Sequence, residues 1–206
     1  MHPKKEVIAV VAHMDDEILG MLSLLPRIDK VIYVTDSATQ WAGPIGPVEH
    51  YAALRKRGAE AAAKMFDFTP VFMDWPNDYL TQLPAEPKAG LCAQLTKLLE
   101  NASAVVTHSP FDEHIEHTFV SSYAQFIAAQ LDVPVIMALM NTEWAESLVA
   151  TSISMTVALS EGRKKEVMQQ CYETEMRLLD HVKYTPNMLS ECFIGRLDVI
   201  SSMLLP

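Results

Sequence analysis

Short apolar runs recur along the chain at intervals that leave room for a helix between each pair. The first two read EVIAVVAH and KVIYVTDS, and each contains several Val, Ile or Ala residues in succession. Nearly continuous apolar stretches of this length are typical of strands that are covered on both faces. The runs that predict such strands are 6–13, 30–37, 70–76, 104–110 and 133–140.

The segments between these runs are rich in helix-forming residues. The predicted helices are 16–28, 49–66, 89–102, 116–131 and 160–179. A further stretch, 148–159, is rich in β-forming residues, and we expect it to be an antiparallel strand. The alternation predicts an α/β fold, a three-layer sandwich with a mostly parallel sheet. Because no linker or repeat interrupts the pattern, we expect residues 1–206 to form a single domain.

The composition argues against some classes of partner. Lys and Arg total 16 against 26 Asp and Glu, a net charge of −10, whereas a nucleic-acid-binding protein needs a basic surface. The same acidity gives no attraction to an anionic membrane, and the first apolar run is too short to span one. The widely spaced cysteines predict free thiols in a reducing compartment, so we expect a cytoplasmic protein. They are Cys92, Cys171 and Cys192.

Two clusters of ionisable residues directly follow two of the predicted strands. His13, Asp15 and Asp16 come at the end of the first strand, whereas His114 and His117 follow the fourth. In an open α/β sheet, ligands bind beyond the carboxyl ends of the strands, so the fold could bring both clusters together. The alternative for the acids is a purely electrostatic role at a helix N-terminus, where they favour the helix dipole.

The spacing within the clusters suits a metal ion. His13 and Asp16 can face one point across a turn. Three-residue spacing places His114 and His117 near one face of a helix. Two nitrogens, one oxygen and water form the pattern of a catalytic zinc site with an open position, and Fe²⁺ or Co²⁺ would also suit these ligands. From spacing alone, either histidine of the second pair could be the third ligand, leaving the other histidine and Asp15 for proton transfer.

Four stretches resemble the PIG-L/LmbE-like N-acetylglucosamine deacetylase family, in a consistent order along the chain. AHMDDE (12–17) is similar to the family's AHPDDE signature, and EHIEH (113–117) to its second histidine motif, usually HPDH. RGAE (57–60) matches an R-x-x-E, and DWPND (74–78) resembles a loop that often carries an aspartate for the sugar. The resemblance implies a Rossmann-like fold and a zinc-dependent enzyme that removes acetyl groups from small-molecule N-acetylated amino sugars or their conjugates.

The resemblance also implies roles for individual residues of this chain. The residues that resemble the metal ligands are His13, Asp16 and His117. Asp15 resembles the general base, and His114 resembles the histidine that polarises the carbonyl and stabilises the oxyanion. The residues that resemble sugar-holding groups are Arg57 and Asp78.

At three places the sequence departs from the family pattern. Met14 replaces the usual proline, so the turn after His13 loses a φ restraint. Glu116 replaces the common aspartate between the two histidines, which keeps the charge but extends its reach, so any bond to a ligand would have altered geometry. VTDSATQWAG lacks the glycine that often follows the TD of the second strand.

Two other interpretations remain open from the sequence. A non-catalytic domain that binds carbohydrate or another small molecule could share the fold and the metal. A Mg²⁺-dependent phosphoryl-transfer enzyme would use DDE, but there is no P-loop, and two histidines suit Mg²⁺ poorly. A mean hydropathy of +0.10 allows a homo-oligomer. Three tryptophans follow predicted strands and would either line a sugar-binding mouth or pack at the edge of the core. They are Trp41, Trp75 and Trp144.

Overall fold

The computed structural model describes residues 4–38, 47–140, 154–159, 162–173 and 190–204. Within these ranges, strands and helices follow the predicted alternation. The strands are β1 (Glu6–Val11), β2 (Lys30–Thr35), β3 (Thr69–Trp75), β4 (Ala102–His108), β5 (Val135–Leu139), β6 (Ser154–Ala158) and β7 (Ser190–Gly195). The α-helices are α1 (Asp16–Met21), α2 (Val48–Phe66), α3 (Ala85–Leu99), α4 (Ile115–Gln130), α5 (Arg163–Cys171) and α6 (Leu197–Leu204).

The strands form one sheet in the order β3-β2-β1-β4-β5-β7-β6. The first five strands in this order pair in parallel, and β7 runs antiparallel to both β5 and β6. This topology confirms the predicted α/β fold with a mostly parallel sheet, and the antiparallel strand expected within 148–159. The chain winds outward from β1 in one direction to β3 and then in the other to β5, so the strand order reverses between β1 and β4.

Helices cover both faces of the sheet and create two separate cores. Along β1, Ala9 and Val11 belong to a core shared with α1, α2, α5 and α6, whereas Ile8 and Val10 belong to one shared with α3 and α4. The alternation follows from the two-residue period of side chains along a strand. Because each face needs apolar cover, the central strands show the uninterrupted apolar runs seen in the sequence.

The first helix is shorter than the sequence pattern indicates. The pattern predicts a helix over 16–28, whereas α1 has six residues and a 3-10 turn follows at Leu25–Arg27. Glu191, distant in sequence, accounts for the early end. Its carboxylate accepts hydrogen bonds from the amides of Leu22 and Ser23 at 2.7 and 2.8 Å, so these amides have a partner outside the helix.

The last strand and the last helix were not predicted from the sequence pattern. β7 reads SECFIG, and its glutamate and glycine, both unfavourable in strands, leave an apolar stretch too short to predict one. The helix predicted over 160–179 is present as α5 over Arg163–Cys171, and its predicted continuation over 174–179 lies outside the described residues. In the described part of the chain, no helix combines the length and apolar character needed to cross a lipid bilayer.

Candidate metal centre

The two clusters of ionisable residues lie side by side at one edge of the sheet. β1 and β4 are adjacent and parallel, with Val10 opposite Thr107, so their carboxyl ends meet. The turn after β1 leads through His13 into α1, and the loop after β4 leads through His114 into α4. This is also where the strand order reverses, the position at which open α/β sheets bind ligands.

Three side-chain donors converge on one point. Nδ1 of His13 lies 3.2 Å from Nε2 of His117. The carboxylate of Asp16 places Oδ2 3.4 Å from Nδ1 of His13 and Oδ1 3.3 Å from Nε2 of His117. Ligands about 2.0–2.1 Å from a tetrahedral zinc ion are separated from each other by about 3.3–3.4 Å. The two nitrogens and the two oxygens of Asp16 therefore lie at separations that suit a metal ion. Two overlapping groups of residues here, His13/His114/His117 and Asp16/His108/His117, have ligand atoms close enough to hold one.

A carboxylate lies close to the outer nitrogen of each imidazole, hydrogen-bonded in the case of His13 and in ion-pair contact in the case of His117. Nε2 of His13 lies 2.9 Å from Oε2 of Glu116, and Nδ1 of His117 lies 3.1 Å from Oδ1 of Asp112. A carboxylate at the far nitrogen fixes the tautomer of a histidine and leaves its near nitrogen as a lone-pair donor, as is common for metal-binding histidines. Glu116 therefore orients the His13 ring through a hydrogen bond. Asp112 acts on His117 through its charge, since Nδ1 of His117 has no aligned hydrogen-bond partner among the described residues.

His108 is another imidazole at this site, and the sequence analysis gave it no role. It is buried at the end of β4, stacks on His117 with 4.0 Å between ring centroids, and forms with Asp16 and His117 a second group close enough to hold an ion. However, its Nε2 accepts a hydrogen bond from the amide of Ala12 at 2.9 Å, so that lone pair is engaged. Burial and the neighbouring His117 lower the pKa of His108 to about 4. His108 therefore supports the His117 ring by packing against it. The sequence feature that could have identified His108 is a histidine at the end of a strand.

Asp15 lies beside the donors in a strained backbone conformation. Its φ of 127° is one that residues other than glycine rarely adopt. The Asp15 carboxylate forms an ion pair with Arg55, whose Nε also donates to the carbonyl of Met14 at 2.9 Å, and the Asp15 amide donates to Glu17 at 3.1 Å. Burial raises the pKa of Asp15 to about 6, against the opposing effect of Arg55. This carboxylate is therefore a stronger base than an exposed aspartate.

His114 stands at the outer side of the donor cluster, at the start of α4. Its ring packs edge-on against His13 and stacks on His117, with centroid distances of 4.8 and 4.5 Å. Nδ1 accepts a hydrogen bond from the amide of Glu116 at 3.3 Å, so the proton of the neutral ring is on Nε2. Burial and the nearby His117 lower the pKa of His114. A neutral His114 can therefore donate from Nε2 without carrying a charge.

The arginine that contacts this site is Arg55, which the sequence analysis did not single out. Arg57 lies two residues further along α2 with an exposed side chain, because positions two apart face nearly opposite sides of a helix. Asp78 lies in the loop after β3 with an exposed side chain and a φ of 65°. Its backbone amide nevertheless hydrogen-bonds Glu116, so this loop contacts the start of α4. The signal for Arg55 would have been helix geometry, counted from the buried face of α2.

One of the three tryptophans can be located. Trp75 is half-buried, packs against the core beneath α3 and α4, and donates from its indole nitrogen to Gln94 at 3.2 Å. This geometry matches the expectation of a tryptophan at the edge of the core, with its N–H satisfied. Trp41 and Trp144 lie outside the described residues.

Charge within the centre is balanced between carboxylates and imidazoles. Burial disfavours the charged form of His117, but Asp16 and Asp112 outweigh it and raise the pKa of His117 to about 10. The pKa of His13 is also raised, because Asp16 and Glu116 outweigh burial. Burial acts on Asp16 too, but His117 and His108 hold its pKa well below the usual range. Protons and a divalent cation therefore compete for the same place.

Comparison with known protein families identifies the class to which this fold and site belong. The profile of the PIG-L family, described as GlcNAc-PI de-N-acetylase, matches residues 8–128, which is more than half of the chain. The chain therefore belongs to the PIG-L family, as its motifs predicted. A search of curated protein sequences gave no match.

Solved structures share the fold at low sequence identity. The A40926 pseudoaglycone deacetylase Dbv21 superposes with a TM-score of 0.69 at 14% identity, covering 94% of this chain and 97% of its own. N,N'-diacetylchitobiose deacetylase from Pyrococcus horikoshii gives 0.62 at 15% identity, covering 95% and 85%. GalB, the 4-carboxy-2-hydroxymuconate hydratase from Pseudomonas putida KT2440, gives 0.65 at 14%, covering 93% and 95%. The fold thus serves more than one reaction, and function must be argued from the site.

Proposed function

We propose that this protein is a metal-dependent N-deacetylase that acts on an N-acetylated amino sugar or its conjugate. One observation carries the proposal. Donor atoms of His13, Asp16 and His117 converge at separations of 3.2 to 3.4 Å, and the carboxylate of Asp15 lies next to them, paired with Arg55. Such a set supports hydrolysis, because it combines a place for a Lewis acid with an adjacent base.

The donor set suits zinc, with Fe²⁺ or Co²⁺ as alternatives that the same ligands accept. His13, Asp16 and His117 would hold the ion, and Glu116 and Asp112 would orient the two imidazoles. When bound, such an ion polarises a carbonyl group and lowers the pKa of water. Three protein ligands leave room in its coordination shell for a substrate or water.

The residues of the chain then carry the proton transfers. Asp15 accepts a proton from the attacking water, since burial raises its pKa to about 6 and Arg55 holds it in place. His114 donates a hydrogen bond from Nε2 to the oxygen on which negative charge develops, because its Nδ1 is occupied by the Glu116 amide. Asp15 returns the proton to the departing amine, and acetate and a free amine are the products.

The amino-sugar substrate is supported by the activity for which the family is described and by the diacetylchitobiose deacetylase among the structural neighbours. Arg57 and Asp78 are the proposed sugar contacts, and both side chains are exposed. Arg55 is the proposed positioning group for Asp15. The assignments separate kinetically. We expect Arg57→Ala and Asp78→Ala to raise KM with little change in kcat, and Arg55→Ala to lower kcat.

Metal removal and restoration combined with a substrate panel tests the proposal. Protein stripped with a chelator is reloaded with Zn²⁺, Fe²⁺ or Co²⁺ and assayed for primary amine released from N-acetylglucosamine, its glycosides and N,N'-diacetylchitobiose. We expect no release from the stripped protein and restoration by at least one metal. An Asp15→Ala variant should bind the metal but release no amine.

Two results would contradict the proposal. Full activity in thoroughly stripped protein would remove the metal from the mechanism. Stoichiometric metal binding without amine release from any N-acetylated sugar would instead favour a binding domain or another hydrolytic or hydration reaction, such as the one for which GalB is named.

A further inference from the structure

The backbone of Met14 is held on both sides, at its N–H and at its carbonyl, by side chains from elsewhere in the chain. Its N–H donates to Oγ of Ser37 at 2.9 Å. Its carbonyl accepts hydrogen bonds from the guanidinium of Arg55. Met14 is 1% exposed and Ser37 also 1%, so neither polar group can use bulk water in place of its partner. This peptide joins His13, a proposed metal ligand, to Asp15, the proposed base.

Ser37 adopts a backbone conformation that normally suits glycine. Its φ is 53°, in the left-handed region, where a side chain carries a steric cost. Ser37 follows Asp36 at the point where the family pattern often has glycine, and Met14 stands where that pattern has proline. Two departures that are 23 positions apart in sequence are therefore in direct contact through the Met14–Ser37 hydrogen bond.

The two positions constrain each other chemically. A proline at position 14 has no N–H to donate, and its ring Cδ would extend from the nitrogen toward the space where the Ser37 hydroxyl lies. A glycine at position 37 would leave room for that ring and accept the positive φ without strain. However, a glycine at position 37 beside Met14 would leave a buried amide without an acceptor.

We propose that Met14 and Ser37 are a compensating pair, in which a side-chain hydrogen bond replaces the restraint of a proline ring and keeps His13 and Asp15 in position. Ser37 is thus a positioning residue that acts through the Met14 peptide. The inference rests on the proposed function only where it concerns the metal, since the hydrogen bond also contributes to folding.

A double-mutant cycle tests the pair. Met14→Pro, Ser37→Gly and the double variant are compared with the wild-type protein by Zn²⁺ titration against a chromophoric chelator, by Tm without metal, and by the visible spectrum of bound Co²⁺. We expect each single change to weaken Zn²⁺ binding by about tenfold, the lower end for residues that orient metal ligands. We expect the double variant to return to within about threefold of wild type, with a wild-type Co²⁺ spectrum.

Thr107→Val is the matched control. It also removes a buried hydroxyl, one that donates to the carbonyl of Val10 at 2.9 Å, but it does not touch the Met14 peptide. We expect it to lower Tm without changing Zn²⁺ affinity, and its effect on Tm should add to that of Met14→Pro.

The outcomes show whether the effects of the two substitutions, Met14→Pro and Ser37→Gly, are coupled or independent. If the effects of Met14→Pro and Ser37→Gly multiply in the double variant, or if Ser37→Gly alone binds Zn²⁺ like wild type, the positioning role is wrong. If Met14→Pro fails to fold, recovery of folding by adding Ser37→Gly supports the pair, and no recovery overturns it. A protein that binds none of Zn²⁺, Fe²⁺ and Co²⁺ would overturn the proposed function, whereas coupling in Tm would still support the hydrogen-bonded pair.

Discussion

Two buried groups of charged residues in this protein differ in how their charges and hydrogen-bonding atoms are arranged. Between α1, α5 and β7, Lys164 and Glu191 form an ion pair with 3.1 Å between Nζ and Oε1. Lys164 also donates to the carbonyl of Leu19, and Glu191 accepts from Leu22 and Ser23. The two charges in this pair therefore bind each other, and the backbone makes further hydrogen bonds to both side chains. At the end of β1 and β4, three donors instead face one another at 3.2 to 3.4 Å.

This difference distinguishes a cluster with a structural role from a proposed metal-binding site. Buried charges are costly unless paired, and a closed pair such as Lys164–Glu191 needs nothing further. In the proposed metal centre, a carboxylate oxygen lies 2.9 or 3.1 Å from the outer nitrogen of each imidazole, and the inner nitrogens face each other and Asp16. A divalent cation would satisfy all three inner donors at once. Burial is common to both groups, and what distinguishes them is where the lone pairs point.

The largest expected effect is on catalysis. Asp15→Asn removes the proposed base but keeps its size, so we expect hydrolysis of an N-acetylated sugar to slow by about 10²- to 10⁴-fold. Zn²⁺ affinity should change much less, because the three inner donors remain. Amine release and Zn²⁺ titration on the same preparation check this. A variant that retains more than a tenth of the activity would show that Asp15 is not the base.

Breaking the Lys164–Glu191 ion pair should lower the stability of the protein. Lys164→Met leaves the buried carboxyl group of Glu191 without its cation, so we expect the free energy of unfolding to fall by about 3–5 kcal/mol. Zn²⁺ stoichiometry of the folded protein should stay the same. Urea denaturation of metal-free protein measures the effect.

The double variant Lys164→Met/Glu191→Gln sharpens the comparison. Glutamine is neutral, so removal of the second charge should recover part of the loss, although the amides of Leu22 and Ser23 would meet a weaker acceptor. If the double variant were less stable than Lys164→Met, an uncompensated charge would not be the main cost of the single substitution.

The sequence predicted that the two motifs lie together, because the carboxyl ends of adjacent parallel strands meet at one edge of the sheet. This logic brought His13, Asp15 and Asp16 to the same edge as His114 and His117, where the structure has them. It missed His108 and Arg55. A histidine at the end of β4 was an available signal for the first, whereas the position of Arg55 depends on which face of α2 is buried, which is a tertiary fact.

The same limit explains the errors in the fold. Central strands are recognisable because both faces are buried and their sequence is apolar throughout. β7 carries Glu191, whose charge makes sense only against Lys164, so its local sequence argues against a strand. The early end of α1 has the same origin, because it depends on the same glutamate. One long-range ion pair thus accounts for two differences between pattern and structure.

A smaller effect on metal binding is expected from changing Glu116, whose carboxylate contacts the outer nitrogen of His13. Glu116→Gln keeps the shape but removes the charge 2.9 Å from Nε2 of His13, so we expect Zn²⁺ affinity to fall by about ten- to hundredfold. Glu113→Gln is the charge-matched control, since Glu113 is exposed in the loop just before α4. Competition with a chelator measures both. Equal losses in the two variants would point to general electrostatics rather than to orientation of His13.

The last expectation concerns pH and follows from competition between protons and metal. Asp16 and Asp112 outweigh burial and raise the pKa of His117 to about 10, so this imidazole is protonated at neutral pH. A metal ion must displace that proton. Apparent Zn²⁺ affinity should therefore rise by about tenfold per pH unit for each proton released, below the raised pKa. Calorimetric titration in buffers of different ionisation enthalpy counts the protons directly. Affinity that is independent of pH, with no proton release, would mean that the inner donors of this cluster do not bind the ion, and the contrast with the closed Lys164–Glu191 pair would disappear.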